Sequence, residues 1–366
     1  MKIDGQLRTS IWYDRNKSCV SILDQTQLPF SIKYIDLTEV DHFITAIRTM
    51  QVRGAPLIGV TGAFGLAFAL KENPSDMYIE EISFRIANAR PTAVNLQWAV
   101  DEVLNAIKYV DTDSRFDIAL RTAKKIRQDD IENCSLIGDY GLKIIQNLYD
   151  SISNKRTINI LTHCNAGWLA TIDWGTAIAP IYKAQEAGIP IHVWVDETRP
   201  RNQGTSLTAF ELGQQGIAHT IIPDNTGGHL MQHGMVDLCI VGSDRTTTQG
   251  DVCNKIGTYL KALAAFDNNV PFYAALPCST FDWSITDGIK EIPIEQRDAI
   301  EVTHMTGVNS DNIINTIRIS PESSPVANYG FDVTPAKYIT GIITEKGIFK
   351  ANKDSLYQLK QQLGLS

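Results

Sequence analysis

From residue 158 onward, short continuous apolar runs alternate with amphipathic segments, and few architectures satisfy that pattern. The runs are Ile158–His163, Ile191–Val195, His219–Ile222, Leu238–Gly242, Phe272–Leu276 and Ile339–Ile343. Between them, 166–187, 206–215, 227–234 and 254–266 suit helices. A strand that is apolar on both faces must be covered on both faces, so strand–helix alternation predicts a parallel sheet between helical layers. Residues 39–150 read differently. Helical periodicity dominates over 39–50, 56–71, 79–89, 93–109 and 115–148, after short strands at 11–13 and 32–35. The polar stretch Ser151-Ile152-Ser153-Asn154-Lys155-Arg156 suits a linker. The expectation is therefore an α/β protein: a mostly helical domain over 1–150, then a Rossmann-like parallel-sheet domain over 151–366.

Several function classes fit poorly. A net charge of −8 argues weakly against nucleic acid as the main partner, which needs a basic face, and leaves room for a small anion held by a few Arg and Lys residues. The longest apolar stretch, Ala55 to Leu70, falls short of the roughly 20 residues of a membrane span. The start Met1-Lys2-Ile3-Asp4-Gly5 lacks a signal-peptide layout, so a cytoplasmic location is expected. The six cysteines form no close metal-ligand spacing. His229 and His233 stand four apart without the glutamate of a zinc-protease motif, so no metal site is expected there. Gly59, Gly62 and Gly65 make G-x-x-G-x-x-G, which is not the dinucleotide fingerprint and reads as a small-residue stripe for close packing. There is no internal repeat and no low-complexity tract.

Open parallel sheets present their chemistry at the carboxyl ends of strands. Cys164 and Asp244 each stand where an apolar run gives way to a polar cluster, Thr162-His163-Cys164-Asn165-Ala166-Gly167 and Gly242-Ser243-Asp244-Arg245. By residue type alone Cys164 is more often a buried packing thiol. A helix opening just after it would favour thiolate. His163 is expected on the opposite face, a poor base for the thiol. Desolvation at a strand end would keep Asp244 protonated as an acid, with a solvated Asp-Arg turn as the other reading. Arg53, Gly54 and Ala55 precede a helix and could hold an anion, or form a plain loop. Arg90 lies at a break between helices within Arg90-Pro91-Thr92 and reads alone as a surface or capping residue. The loop Asp196 to Gly204, which includes Arg199, Arg201 and Gln203, is either a substrate element or a charge-paired turn. Asn254 and Lys255 are expected to open a helix and could hold hydroxyls or phosphate.

Together, Thr162–Thr171, Val195–Gly204 and Gly242–Tyr259 resemble the S-methyl-5-thioribose-1-phosphate isomerase family. These are aldose–ketose isomerases related to ribose-1,5-bisphosphate isomerases and to regulatory subunits of a translation-initiation exchange factor. The resemblance implies Cys164 as the transition-state cysteine and Asp244 as the proton donor. It places phosphate and sugar contacts on Arg53, Gly54, Ala55, Arg90, Gln203, Asn254 and Lys255. It implies a sugar-phosphate substrate, a homodimer, and no metal or organic cofactor. Ser243 and Trp168 depart locally from the pattern, and Trp168 is either a neighbour of the substrate C5 or a core tryptophan. The expected substrate is 5-methylthioribose 1-phosphate, with 5-deoxyribose 1-phosphate as a near variant. The alternatives are ribose 1,5-bisphosphate, which Arg199 and Arg201 keep open, and a non-catalytic sugar-phosphate-binding subunit.

Overall fold

The computed structural model describes residues 1–90 and 94–365. Its largest sheet has seven strands. Their order across the sheet is Gly347–Phe349, Gly341–Thr344, Phe272–Ala275, Leu238–Val241, Ile158–Thr162, Ile191–Asp196 and His219–Ile222. All neighbours are parallel except the Gly347–Phe349 edge strand. The chain starts in the middle at Ile158–Thr162 and winds outward through Ile191–Asp196 to His219–Ile222. It then returns to the other side of the first strand at Leu238–Val241. The strand order therefore reverses between Ile158–Thr162 and Leu238–Val241, and ligands of such sheets bind in the crevice at that reversal.

The N-terminal part opens with an antiparallel sheet of Ile11–Asp14, Cys19–Leu23 and Tyr34–Leu37. Helices follow at Val40–Arg48 (α1), Ala55–Glu72 (α2), Asp76–Ala87 (α3), Val94–Ile107 (α4) and Arg115–Ser151 (α5). Helix α2 is long and apolar enough to cross a membrane, where the sequence suggested it was too short. Every residue from Ala55 to Leu70 is buried inside the protein, so this is a core helix. Its glycine stripe faces Asn95, Leu96 and Phe43, as close packing requires.

Helix α5 serves two cores. Ala119, Leu120, Ala123 and Ile126 join the helical core around α2, while Ile137 and Ile145 pack with the sheet residues Ile158, Ile160 and Val193. The chain leaves the helices near residue 151, but the apolar cores divide within α5. Asp130, on the same helix, accepts the Ile172 N–H at 3.2 Å and joins the two parts.

Two expected helices are corrected. The segment 166–187 is helical only over Ala179–Glu186; before that it forms a short 3-10 turn at Trp168–Ala170 and a bridge between Gly167 and Gly175. Asn254 and Lys255 do not open a helix. They end the strand Val252–Lys255, paired with Asp332 and Phe331, and the helix begins only at Thr258. In both places tertiary hydrogen bonds outweigh local helical propensity.

Candidate active site

Cys164 and Asp244 follow the two strands that flank the reversal of strand order. They line one small cavity with Arg53, Gly54, Ala55, Asn165, Ser243 and Asn254. Cys164 has φ 66°, a left-handed conformation that is uncommon outside glycine. Its backbone is held on both sides: its N–H donates to Thr198 Oγ1 at 2.8 Å and its carbonyl accepts from Thr208 Oγ1 at 2.6 Å. Such over-determination lets a strained residue persist. The thiol donates to Gln203 Oε1 at 3.5 Å.

No helix opens at Cys164, so the thiolate-promoting dipole expected there is absent. Burial pushes the thiol up; Arg53, Lys255 and the Asn165 N–H oppose it, and Asp244 adds to the rise. His163 is turned away, with Nδ1 2.7 Å from Asp196 Oδ2 and Nε2 2.8 Å from the Ile256 carbonyl. It cannot serve as a base for the thiol.

Asp244 keeps partial exposure through the cavity, while dense protein around it pushes its carboxyl above the ordinary range. Lys255, Arg90 and Arg53 pull the other way, and Glu295 pushes with burial. Desolvation wins, so Asp244 favours the protonated form more than a free carboxyl does. Arg245 leaves in the opposite direction to Asp282 Oδ2, 3.3 Å away.

Of the remaining expected residues, Arg53, Gly54, Ala55 and Asn254 line this cavity, Gln203 meets the Cys164 thiol, and Arg90 and Lys255 act on Asp244 through their charge. Gly54 starts α2 with φ 94°, and a Cβ there would lie 2.3 Å from the Ala170 carbonyl oxygen. Only glycine permits that approach. Gly54 has no side chain to cap the helix start and Pro56 has no N–H, which leaves the Ala55 and Leu57 N–H groups as the donors an anion would meet there. Arg53 donates through Nη1 to Asn165 Oδ1 and through Nη2 to the Asn165 carbonyl at 2.6 Å. Arg90 is 8% exposed, and among the described residues its Nε and Nη1 have no partner. Its Nη2 stands 3.7 Å from Glu295 Oε2. A buried guanidinium with unmet donors is suited to an incoming anion, not to the surface role that sequence alone suggested. Pro91 and Thr92 lie outside the described residues. Lys255 is buried, its Nζ 4.8 Å above the Phe331 ring. Asn254 Nδ2 donates to Thr258 Oγ1 at 3.0 Å.

The Asp196–Gly204 loop is both a charge-paired turn and a contributor to the cavities. Arg199 spends its guanidinium on the Pro200 and Val302 carbonyls, and Arg201 pairs with Glu301 at 3.0 Å. Gln203 and Arg53 line a second, larger cavity with Leu28, Phe30, Met50 and Met305. Trp168 lines neither cavity; it is fully buried in the sheet-side core.

Sequence reasoning missed the supports behind these residues. Asn165 stands in the Thr162–Gly167 cluster with no role of its own, and Glu211 lies unremarked within the helix expected over 206–215. Its one signal was position, four residues after the apolar Leu207 on the same helical face. His163, Asp196 and Asp224 bring ligating atoms close together, yet Lys261 Nζ sits 3.1 Å from Asp196 Oδ2 and supplies the positive charge. His229 and His233 pack their rings 4.2 Å apart, and His233 Nδ1 lies 2.8 Å from the His229 carbonyl oxygen.

The sequence model of the Initiation factor 2 subunit family matches residues 51–351. This chain belongs to that family. The methylthioribose-1-phosphate isomerase of Methylobacterium nodulans is 56% identical over 359 residues, covering 98% of each chain. That of Escherichia coli is 54% identical over 356 residues, covering 97% of this chain and 95% of its own. The crystal structure of 5-methylthioribose 1-phosphate isomerase from Pyrococcus horikoshii superposes with TM-score 0.82 at 35% identity, covering 98% of this chain and 97% of that one. The delta subunit of translation initiation factor eIF-2B from A. fulgidus superposes with TM-score 0.75 at 36% identity, covering 96% and 100%. The family thus holds both named isomerases and initiation-factor subunits on one fold.

Proposed function

We propose that the chain converts 5-methylthioribose 1-phosphate to 5-methylthioribulose 1-phosphate, the aldose–ketose step of methionine salvage. The observation that carries this reading is a thiol and an acid at the strand reversal, facing one cavity that Arg53 also lines. A subunit that only binds a sugar phosphate needs neither group. The full-length likeness to named isomerases supports the same reading.

A 1-phosphate locks the anomeric carbon, so the ring opens only with acid help. Asp244 gives its proton to the ring oxygen as the C1–O bond breaks. Arg53, Arg90, Lys255 and the α2 start hold the phosphate, which stays attached throughout. Hydrogen then moves from C2 to C1 and the C2 hydroxyl loses its proton, leaving the ketose. The proton spent on the ring oxygen is balanced by the one released at C2. A thiolate could take the C2 hydrogen as a proton, but burial favours the thiol and Gln203 accepts its hydrogen. These facts favour a direct hydride shift in a dry site, with Cys164 stabilising the charge at C1–C2. Conversion in heavy water is the test. The hydride shift predicts product without deuterium at C1; deuterium there would restore the thiolate base.

The cavity at Cys164 and Asp244 is about 40 Å³, far below the roughly 300–1,000 Å³ of ligand pockets. Its neighbour across Arg53 and Gln203 is about 290 Å³. Substrate entry therefore requires the two to join. The neighbour's Leu28, Phe30, Met50 and Met305 suit a methylthio group, while its Arg201 is already neutralised by Glu301 and offers little to a second phosphate. We expect kcat/KM for the methylthio sugar to exceed that for 5-deoxyribose 1-phosphate about 10-fold, the worth of a small apolar group in such a pocket. Ribose 1,5-bisphosphate should be turned over more slowly than both; a preference for it would reverse the assignment. The proposed assembly is a homodimer, and a monomer in sedimentation at assay concentration would remove that part.

A further inference from the structure

Glu211 lies on the Ala209–Gln214 helix with no exposure, and among the described residues no ion pair reaches it. Its carboxylate accepts four hydrogen bonds. Oε1 takes Asn165 Nδ2 at 3.0 Å and the Leu169 N–H at 2.8 Å; Oε2 takes the Trp168 N–H at 3.1 Å and the Tyr182 hydroxyl at 2.8 Å. We infer that Glu211 is a positioning residue for the reaction. It orients the Asn165 amide so that Oδ1, beside the Asn165 backbone carbonyl, holds the Arg53 guanidinium in the site.

An asparagine amide has a donor end and an acceptor end, and its orientation is set by its partners. Asn165 Nδ2 has two hydrogens. One goes to Glu211; the other goes to Thr208 Oγ1 at 3.2 Å, whose own proton is committed to the Cys164 carbonyl. Oδ1 is then left for Arg53 Nη1, and the Asn165 carbonyl takes Nη2. A flipped amide would set Nδ2 hydrogens against the guanidinium and Oδ1 against the carboxylate. An ionised carboxylate accepts at all four contacts, so it forbids that flip. Glutamine has the same shape, but its Nε2 hydrogens would face donors.

The fold makes room for this contact. A Cβ on Gly167 would fall 1.6 Å from Glu211 Oε2, so only glycine lets the carboxylate reach the turn after Cys164. Burial pushes the Glu211 carboxyl up to about 7, against the pull of Asn165, the Leu169 N–H, Tyr182 and Arg53. All four partners donate, so this arrangement calls for the ionised form, which predominates only above that value; the carboxylate then stands at one end of a carboxylate–amide–guanidinium chain that ends at Arg53.

The inference rests on the proposed function, in which Arg53 anchors the substrate phosphate. In the full-length enzyme, Glu211→Gln is expected to raise KM for the sugar phosphate about 10-fold, the low end for a hydrogen bond to a charged group, with kcat within about 3-fold. The double variant Arg53→Ala/Glu211→Gln should match Arg53→Ala alone within about 3-fold in KM, because both act through one contact. A KM for Glu211→Gln within about 2-fold of wild type, or multiplying effects in the double variant, would overturn the inference. If Glu211→Gln does not fold, Asn165→Ala is read the same way, and an unchanged KM overturns the inference there. If the wild-type chain turns over none of the candidate sugars, the proposed function falls. Calorimetry with inorganic phosphate then decides the inference by itself: about 10-fold weaker binding by the variant sustains it, and equal binding ends it.

Discussion

Asp244→Asn is expected to lower kcat at least ~100-fold, the lower range for removal of a general acid, with KM changed only a few-fold. The amide fits the same space at the end of the Leu238–Val241 strand, so the cavity and its cations stay in place. What is lost is the proton for the ring oxygen. Wild-type activity should also fall as pH rises past the elevated pKa of Asp244, because the acid form is then depleted. Stability has the same sign. A carboxyl whose pKa is raised by folding favours the folded state while protonated, and that contribution is lost as pH rises through the folded value. The neutral amide escapes this loss, so the variant should melt higher than wild type at pH 8. Steady-state kinetics and thermal melts over pH check both halves. Turnover near wild type would remove Asp244 as the acid.

Cys164→Ser should also lower kcat at least ~100-fold. Serine preserves a donor toward Gln203 and tolerates the same backbone, which Thr198 and Thr208 hold independently of the side chain. It replaces a large polarisable sulfur with a smaller, harder oxygen next to the carbons that exchange hydrogen. If Cys164 were a packing thiol, the serine variant would lose some stability and keep its turnover. Activity near wild type in a folded Cys164→Ser protein would therefore restore the packing reading. Together with the heavy-water experiment, this variant separates the need for sulfur from the route of the hydrogen.

The sheet was legible because a strand buried on both faces must be apolar along its length, and all six runs became strands of one sheet. The strand Cys19–Leu23 escaped notice despite being buried throughout, because its polar neighbours hide its period. The short strands around Asn254 and Lys255 were illegible for another reason: their pairing is with Asp332 and Phe331, far along the chain. The same holds at the site. Cys164, Asp244 and the anion contacts could be named from motif clusters, because strand ends and helix starts are local features. Glu211 could not, because a glutamate on a helix is ordinary until tertiary structure surrounds it with four donors.

The sequence by itself determined the parallel sheet, the helical N-terminal part and the set of polar residues at strand ends and helix starts. These follow from periodicity and residue type, which act over a few residues. Only the tertiary structure decided which strands are neighbours, and hence that Cys164 and Asp244 flank the same crevice. It also decided that Cys164 meets no helix start, that burial outweighs the nearby cations at both groups, and that Asn165 and Glu211 stand behind Arg53. Solvent exclusion and hydrogen bonds between distant segments set those properties, and neither is written in any single stretch of chain.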